Sequence, residues 1–292
     1  MAKNAINKIL FLILFLFATS VSMAQLDDLT NAIKSFQEGK LDVAKTYIDK
    51  ATVNSSDPWA WYFKGFLYKE IYKAKEKGNK SSPAREESVK AFKKSLALDK
   101  KKEHEKSNIE NVKYLSISYM NDAVDAMNSA LFDQAVVNYE KYKETILITD
   151  PSIDIKKKNI EFYMALSSAY ATKYETGGAA DNLEKAKNAL QKVLSIDPNY
   201  AKANYELAVL YYNQAVKLIK NMDYDADLVA LSQIQDASVV LFKASLPFME
   251  KAYNLDPKQE DAVEGLSGIY FSLNDQDKSQ LYQNKLNEMR KK

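Results

Sequence analysis

The sequence contains no cysteine and a single histidine, His104. The protein therefore has no disulfide bond, no thiolate metal site and no thiol nucleophile, and a His-Glu-x-x-His zinc motif cannot form. Because His104 lies in the polar stretch from Lys100 to Lys106, we expect it to be a solvated surface residue. These absences exclude several common routes to catalysis and metal binding.

Glycine and proline are also scarce, with seven and six residues in a chain of 292. Hydrophobic residues make up 46% of the chain and charged residues 27%, a composition that favours amphipathic helices. Alternation with a period of two is rare, so we predict no strand. The chain has no Gly-rich phosphate loop, and Gly265-Leu266-Ser267-Gly268 lacks the spacing of a nucleophile elbow. The sequence predicts an all-α protein without a cofactor.

Residues 1–24 differ in composition from the rest of the chain. Two lysines precede an apolar run at residues 9–18, and small residues then lead to Ala24. This is the layout of a secretory signal peptide, and the run is shorter than the roughly 20 residues of a membrane-spanning helix. We predict a signal peptide at residues 1–24, cleaved before Gln25, with an uncleaved anchor as the alternative. The mature protein would be exported to the periplasm or secreted, without a transmembrane segment.

The charge balance argues against nucleic acid as a partner. Loss of the signal peptide lowers Lys+Arg from 41 to 39, which equals the 39 Asp+Glu. A net charge near zero does not suit a protein built to bind phosphate backbones. Residues 64–106 are locally basic, with 14 Lys/Arg against 7 Asp/Glu. This segment either meets an anionic partner or forms a solvated helix face.

A pattern recurs along the rest of the chain. Asp-Pro pairs end apolar-periodic stretches, because a residue before proline disfavours the helical conformation. These stops are Asp57-Pro58, Asp150-Pro151, Asp197-Pro198 and Asp256-Pro257, and Asp99 stands at a fifth such place. Before four of the five stops, a small, a large and another small or apolar residue, spaced four and three apart, share one helix face. These sets are Ala44, Ile48, Ala51; Ser88, Phe92, Ser95; Ala186, Leu190, Val193; and Ser245, Met249, Ala252.

A second pattern follows the stops. Its members are Trp61, Gly65, Tyr68; Tyr163, Leu166, Tyr170; Leu207, Ala208, Tyr211; and Leu266, Ser267, Tyr270. These sets resemble the first-helix signature W-x2-L-G-x2-Y of tetratricopeptide-repeat (TPR) proteins. The resemblance covers about residues 26–290 and is best at Ala201–Ala215. The Ala-Gln cleavage site and long inserts resemble exported TPR proteins of the Bacteroidetes type.

The resemblance implies a TPR-like α-solenoid over residues 25–292, in which stacked antiparallel helix pairs supply the core. Counting the stops predicts about five helix pairs, with capping helices at residues 26–38 and 280–292. Because the stops are unevenly spaced, we expect helical and loop inserts at residues 76–83, 175–181 and 216–243.

A TPR solenoid also implies a concave groove lined by the first helix of each pair. Carried over by position, the groove residues are Tyr62, Phe66, Met120, Val124, Met127, Asn128, Met164, Ser168, Tyr205, Val209, Tyr212, Asn213 and Phe271. Aromatic residues and methionines are common binding anchors. In the best-matching repeat we expect Leu207, Ala208 and Tyr211 to face neighbouring helices. Tyr205, Val209 and Tyr212 would then project into the groove, outside the core.

These features predict an exported protein–protein interaction scaffold that binds a protein or peptide and is not an enzyme. An outer-membrane assembly or polysaccharide-handling accessory protein is the alternative. An enzyme with paired carboxylates in the groove is a third possibility, although no catalytic pairing is recognisable.

One acidic segment resembles a metal loop. Asp223, Asp225 and Asp227 begin like a calcium loop, but Leu228 and Ile234 replace its glycine and glutamate. We therefore predict a helix cap and no metal site.

Overall fold

The computed structural model of the chain describes residues 23–223 and 227–291. The predicted signal peptide, except Met23 and Ala24, lies outside these residues, as does Asp225. Twelve α-helices and no strand occur within the described residues. The helices are α1 Met23–Gln37, α2 Leu41–Ala51, α3 Pro58–Ile71, α4 Pro83–Leu98, α5 Glu105–Asn128, α6 Phe132–Ile146, α7 Lys156–Glu175, α8 Asp181–Ile196, α9 Ala201–Lys220, α10 Leu228–Leu255, α11 Glu260–Ser272 and α12 Gln276–Met289. A single π-helical turn, Tyr72–Glu76, follows α3.

Each odd-numbered helix packs against the helix that follows it, which gives six pairs in the described part of the chain. The predicted fold class, an all-α array of antiparallel helix pairs, is confirmed. The predicted number of pairs is wrong. α1 covers residues 23–37 and is a full partner of α2 rather than a cap, and α12 is likewise a full partner of α11.

The chain divides into two compact units, Met1–Ile153 and Asp154–Lys292. The first unit contains α1–α6, and one apolar cluster from Leu29 to Leu115 runs through its helices α1–α5. The second unit contains α7–α12, with one cluster around Leu207 and another around Leu266. Each unit therefore has a core of its own.

The two helices of a pair touch where their side chains are small. All twelve residues of the small–large–small pattern are buried, as the spacing predicts. At the contact a serine hydroxyl donates to a carbonyl of the partner helix. Ser88 Oγ lies 2.7 Å from Gly65 O, and Ser245 Oγ lies 2.7 Å from Ala208 O. A small residue on each helix thus lets one backbone come within hydrogen-bonding reach of the other helix's side chain.

The connections within pairs fall into two kinds. The first, third and sixth pairs close in tight turns through one residue with positive φ, namely Gly39 (75°), Ala130 (56°) and Asn274 (60°). The other three pairs carry the inserts. Residues 77–82 and 176–180 form loops between helices, and Ser82 caps α4 by accepting a hydrogen bond from the Arg85 N–H at 3.0 Å.

The largest insert lengthens the helices of the fifth pair, as predicted. α9 continues to Lys220, and α10 runs from Leu228 to Leu255 without a break at Pro247. α10 has 28 residues whereas α8 has 16, a difference of about 18 Å along a helix. The fifth pair therefore extends well past the fourth at its loop end.

Two basic residues of the 64–106 segment lie inside the first unit, so the expectation of a solvated helix face is wrong for them. Lys64 occupies the position at which other first helices carry leucine, and its Nζ lies 3.1 Å from carboxylate oxygens of both Asp49 and Glu87. Arg85 is completely buried, 2.7 Å from Asp122. Breaking such a buried pair is costly, because the remaining charge is left without compensation.

We predict that Gly65→Ala destabilises the protein. A Cβ at this position would lie 2.7 Å from the Phe92 ring, and overpacking of this kind costs about 1–3 kcal/mol. The loss should exceed the gain of about 1 kcal/mol from the better helix propensity of alanine. Urea unfolding measures the difference. Gly78→Ala is the control, because its Cβ would have no neighbour within 4 Å. Equal stability of the two variants would contradict a tight crossing at Gly65.

Candidate interaction surface

The thirteen residues predicted to line the groove all lie on first helices, α3, α5, α7, α9 and α11. Their surroundings differ strongly, however. Some are exposed, and others pack against neighbouring helices.

One face of α5 carries a row of exposed side chains. Its five members are spaced three or four residues apart and therefore share one helix face. The row, which we call the α5 stripe, consists of Tyr114, Ile117, Asn121, Val124 and Asn128, all of them exposed. Tyr114, Ile117 and Val124 are 42%, 57% and 46% exposed, which is high for apolar side chains. Val124 and Asn128 were predicted, but Tyr114, Ile117 and Asn121 were missed.

The missed residues have a recognisable sequence signal. The opposite face of α5 carries Val112, Leu115 and Tyr119, which are buried. A helix that packs one face against the core needs apolar residues on that face only. Apolar residues on a second face of α5 therefore indicate an exposed surface. The other predicted residues on α5, Met120 and Met127, are half-buried between these faces.

The α5 stripe continues onto α3 through Lys69. The Lys69 ammonium lies 4.6 Å from the centre of the Phe66 ring and 5.9 Å from that of Tyr114. It also donates a hydrogen bond of 2.6 Å to Asn111 Oδ1. Burial lowers the pKa of Lys69, and the nearby Glu70 carboxylate opposes this effect. A cation held among aromatic rings thus joins the two first helices.

Tyr62 has a largely structural position. Its ring stacks on Trp59, with centres 5.2 Å apart, and on His104, with centres 5.8 Å apart. The expectation that His104 is a solvated surface residue is therefore wrong. The start of α3 holds its ring half-buried against two aromatic side chains. Phe66 similarly packs edge-on against Phe36 of α1 at 5.6 Å.

In the second unit, two predicted groove tyrosines face α11. Tyr205 and Tyr212 both pack against the cluster around Leu266. The Tyr212 ring lies 5.4 Å from Phe242, and its hydroxyl sits close to Gly268. The expectation that these tyrosines lie outside the core is wrong. Phe242 of α10, three residues before Ser245 of the crossing, lies against Tyr212, and no local pattern in α9 reveals this contact.

The remaining predictions for α9 have mixed outcomes. Leu207 and Ala208 are fully buried, as expected. Tyr211 is only half-buried, with its ring stacked 6.3 Å from that of Phe248. Val209 is half-buried, whereas Asn213 is exposed and its side chain has no hydrogen-bond partner among the described residues.

Three other predicted positions complete the second unit. Met164 packs against the cluster around Leu207, and Ser168 is exposed on α7. Phe271 of α11 is 65% exposed, an unusually open position for a phenylalanine.

The acidic segment near α10 behaves as a cap. The Asp227 carboxylate accepts a hydrogen bond of 2.8 Å from the Ala230 N–H and so starts the helix. Among the described residues, no three His, Asp or Glu side chains come together in a way that could hold a metal ion. None of the described helices combines the length and the apolar character needed to cross a membrane.

Comparison with known families supports the repeat pattern. The sequence profile of the tetratricopeptide repeat matches residues 178–200, which include α8 and the turn that leads to α9. The chain carries a tetratricopeptide repeat. The resemblance to TPR proteins inferred from the residues is therefore confirmed in this segment.

Several solved structures are similar to the chain at low identity, and the first two given below are named as TPR-repeat proteins. A TPR-repeat protein from Bacteroides fragilis is 15% identical, with 86% of this chain and 98% of that chain covered and a TM-score of 0.44. The C-terminal part of a TPR repeat-containing protein from Cytophaga hutchinsonii is 14% identical, with coverages of 99% and 89% and a TM-score of 0.36. MamA protein is 19% identical, with coverages of 78% and 92% and a TM-score of 0.31. A comparison with curated protein sequences found no match.

We predict that Tyr212→Ala lowers the free energy of unfolding by about 2 kcal/mol, because it removes a half-buried ring from between α10 and α11. Asn213→Ala, at the exposed neighbouring position, should change stability by no more than about 0.5 kcal/mol. Both values follow from denaturant unfolding monitored by circular dichroism. If Tyr212→Ala unfolds at the wild-type midpoint, the ring is not part of the core.

Proposed function

We propose that the protein is an exported scaffold that binds a protein or peptide partner through the first helices of its TPR-type pairs. Repeat proteins of this architecture use the surface formed by successive repeats for binding. The α5 stripe is the observation that carries the proposal. A monomeric protein seldom exposes several large apolar side chains on one helix face, as Tyr114, Ile117 and Val124 are here, unless that face meets a partner.

The composition of the α5 stripe suits protein recognition. Tyr114 and the Lys69 ammonium beside it offer aromatic and cationic contacts, and Ile117 and Val124 supply apolar area. Asn121 and Asn128 can hydrogen-bond to a peptide backbone. Binding energy at such interfaces concentrates in a few aromatic and apolar anchors with polar groups around them.

Exposed apolar residues on the second helices provide a contrast. Val43 on α2 and Val137 on α6 are 44% and 52% exposed, and each is the one large apolar side chain exposed within its helix. Single exposed apolar residues are normal on protein surfaces. The two kinds of surface therefore make a matched comparison.

We predict that the double substitution Tyr114→Ser with Ile117→Ser weakens partner binding at least about tenfold, because it removes two adjacent anchors. The measurement is quantitative capture and crosslinking from the exported fraction of the native cell. Folding should be unaffected, since both side chains are exposed.

The control is Leu131→Ser with Val137→Ser, which removes two apolar side chains with 51% and 52% exposure at the start and on the surface of α6. Equal capture of the same partner by both double variants would contradict the proposal that the α5 stripe binds the partner.

Export is the second part of the proposal. The core contacts of α1 begin at Leu29, and Ala32 is fully buried. Cleavage before Gln25 would therefore remove only two residues of α1 and none of its buried side chains. This supports, on packing grounds, the signal peptide predicted from the three-part layout of residues 1–24.

We predict that the mature protein starts at Gln25. Intact mass measurement of the protein purified from its native cell, combined with fractionation, tests the start and the compartment. A full-length mass in the cytoplasmic fraction would contradict both. Substituting Ala24 by a bulky residue should block processing, because the cleavage site requires small side chains.

A further inference from the structure

The exposed face of α4 carries a row of lysines. Lys93 and Lys94 lie three and four residues after Lys90, so the three side chains share one face of the helix. Lys100 follows in the turn after α4, and the row is therefore on the order of 15 Å long. All four side chains are exposed. We call these four residues the lysine ridge.

The lysine ridge has no counter-charge on its own helix. None of its lysines forms an ion pair with any residue that the structure describes. The two glutamates of α4 are already engaged. Glu86 pairs with Lys141 of α6, and the Glu87 carboxylate lies 3.1 Å from the Lys64 ammonium. The unpaired charges of α4 are therefore all positive.

The turn that follows α4 adds no free carboxylate. Asp99 is buried, and its carboxylate accepts hydrogen bonds of 3.0 and 2.7 Å from two backbone N–H groups of the turn. Glu103 and Glu105 are paired with lysines of the turn, at 4.0 and 3.0 Å. Lys100 thus remains the unpaired charge of this turn.

The other second helices of the first unit do not cancel this charge. On α2, Asp42 and Asp49 are both ion-paired with lysines, whereas Lys50 has no ion pair among the described residues. On α6, Glu144 is exposed and has no ion pair there either. One unpaired charge of each sign leaves the four positive charges of the lysine ridge in excess.

The lysine ridge faces away from the first helices. The other face of α4 packs on α3, where the hydroxyls of Ser88 and Ser95 donate to backbone carbonyls of α3 at 2.7 and 2.8 Å. With about 100° between successive residues, the three ridge lysines of α4 lie on the opposite side of the helix. A ligand on the lysine ridge therefore leaves the first-helix surface open.

The chemistry of the lysine ridge indicates what kind of surface it meets. None of the large apolar side chains that are exposed in the described residues lies on α4. Protein interfaces depend on aromatic, apolar and arginine anchors and are depleted in lysine. A row of lysines without such anchors suits a surface with many equivalent negative charges, such as the phosphate headgroups of anionic lipids.

We propose that the lysine ridge holds the protein against a membrane surface that is rich in anionic phospholipid. Screening limits the attraction to roughly 8 Å at physiological salt, so α4 lies directly on the headgroups. This inference goes beyond the proposed function and does not rest on it, because the α5 stripe belongs to a first helix. The protein can then lie on the lipid while the α5 stripe remains free for a protein partner.

Co-sedimentation of the mature chain with lipid vesicles tests this directly. One set of vesicles contains only phosphatidylcholine, and in the other set phosphatidylglycerol replaces part of it. The expected result is binding to the anionic vesicles only. This binding should be lost when the ionic strength rises from about 0.1 M to about 1 M, because the Debye length then falls to roughly 3 Å.

A triple variant locates the contact. Lys90→Gln with Lys93→Gln and Lys94→Gln removes three charges from exposed positions, so the fold should be retained, which circular dichroism confirms. Each lysine close to an anionic membrane strengthens binding roughly fivefold. The triple variant should therefore bind the anionic vesicles at least about tenfold more weakly than the wild type.

The matched control removes the same charge elsewhere. Lys156→Gln with Lys157→Gln and Lys192→Gln changes three exposed lysines of the second unit and should bind the vesicles like the wild type. Equal loss in both triple variants would assign binding to net charge and would refute the role of the lysine ridge.

Two other results overturn the inference. One is equal binding of the wild type to neutral and anionic vesicles. The other is retention on immobilised polyglutamate without binding to vesicles, which would point to an acidic protein instead of lipid. The Tyr114→Ser, Ile117→Ser variant should bind vesicles normally, so the lysine ridge and the α5 stripe can be refuted independently.

Discussion

The close crossing of the two helices in each pair is the constraint on which the rest of the structure depends. Only glycine, alanine or serine fits where the backbones meet, as at Gly65 with Ser88 and Ala208 with Ser245. In the last pair Ser267 and Ser279 exchange hydroxyl-to-carbonyl bonds in both directions. With the backbones this close, a single large residue four positions on fills the remaining gap, and the register of both helices is set.

The parts of the fold that follow from this crossing could be predicted from the sequence. The spacing of small and large residues predicted the second helix of each pair, and the Asp-Pro stops predicted where these helices end. Both signals are local in sequence. The number of pairs was miscounted, because a tight turn at Gly39 joins α1 to α2 and this connection resembles a cap followed by a helix. Local signals do not distinguish a capping helix from the first helix of a full pair.

The surface was less predictable, because it depends on contacts between distant segments. Tyr212 has the spacing of a groove residue, yet it is covered by Phe242, which lies 30 positions later in sequence. Lys64 and Arg85 belong to a basic stretch, yet both are buried because they form salt bridges with Asp49 and Asp122 on other helices. Hydrogen bonds from Lys45, Tyr68 and Lys64 hold the pKa of Asp49 below its usual value despite burial, so this internal network remains charged.

Because the pairs differ in length, the stacking of the pairs is independent of the length of their loop ends. The crossing fixes how pairs stack, whereas the loop end of a pair can lengthen by several turns, as α9 and α10 do, without moving any small residue at the crossing. Insertions at that end therefore change the outline of the molecule at little cost to its core. A lineage that carries this architecture can acquire new recognition elements one pair at a time, and an engineer can graft a segment between Lys220 and Leu228 on the same principle.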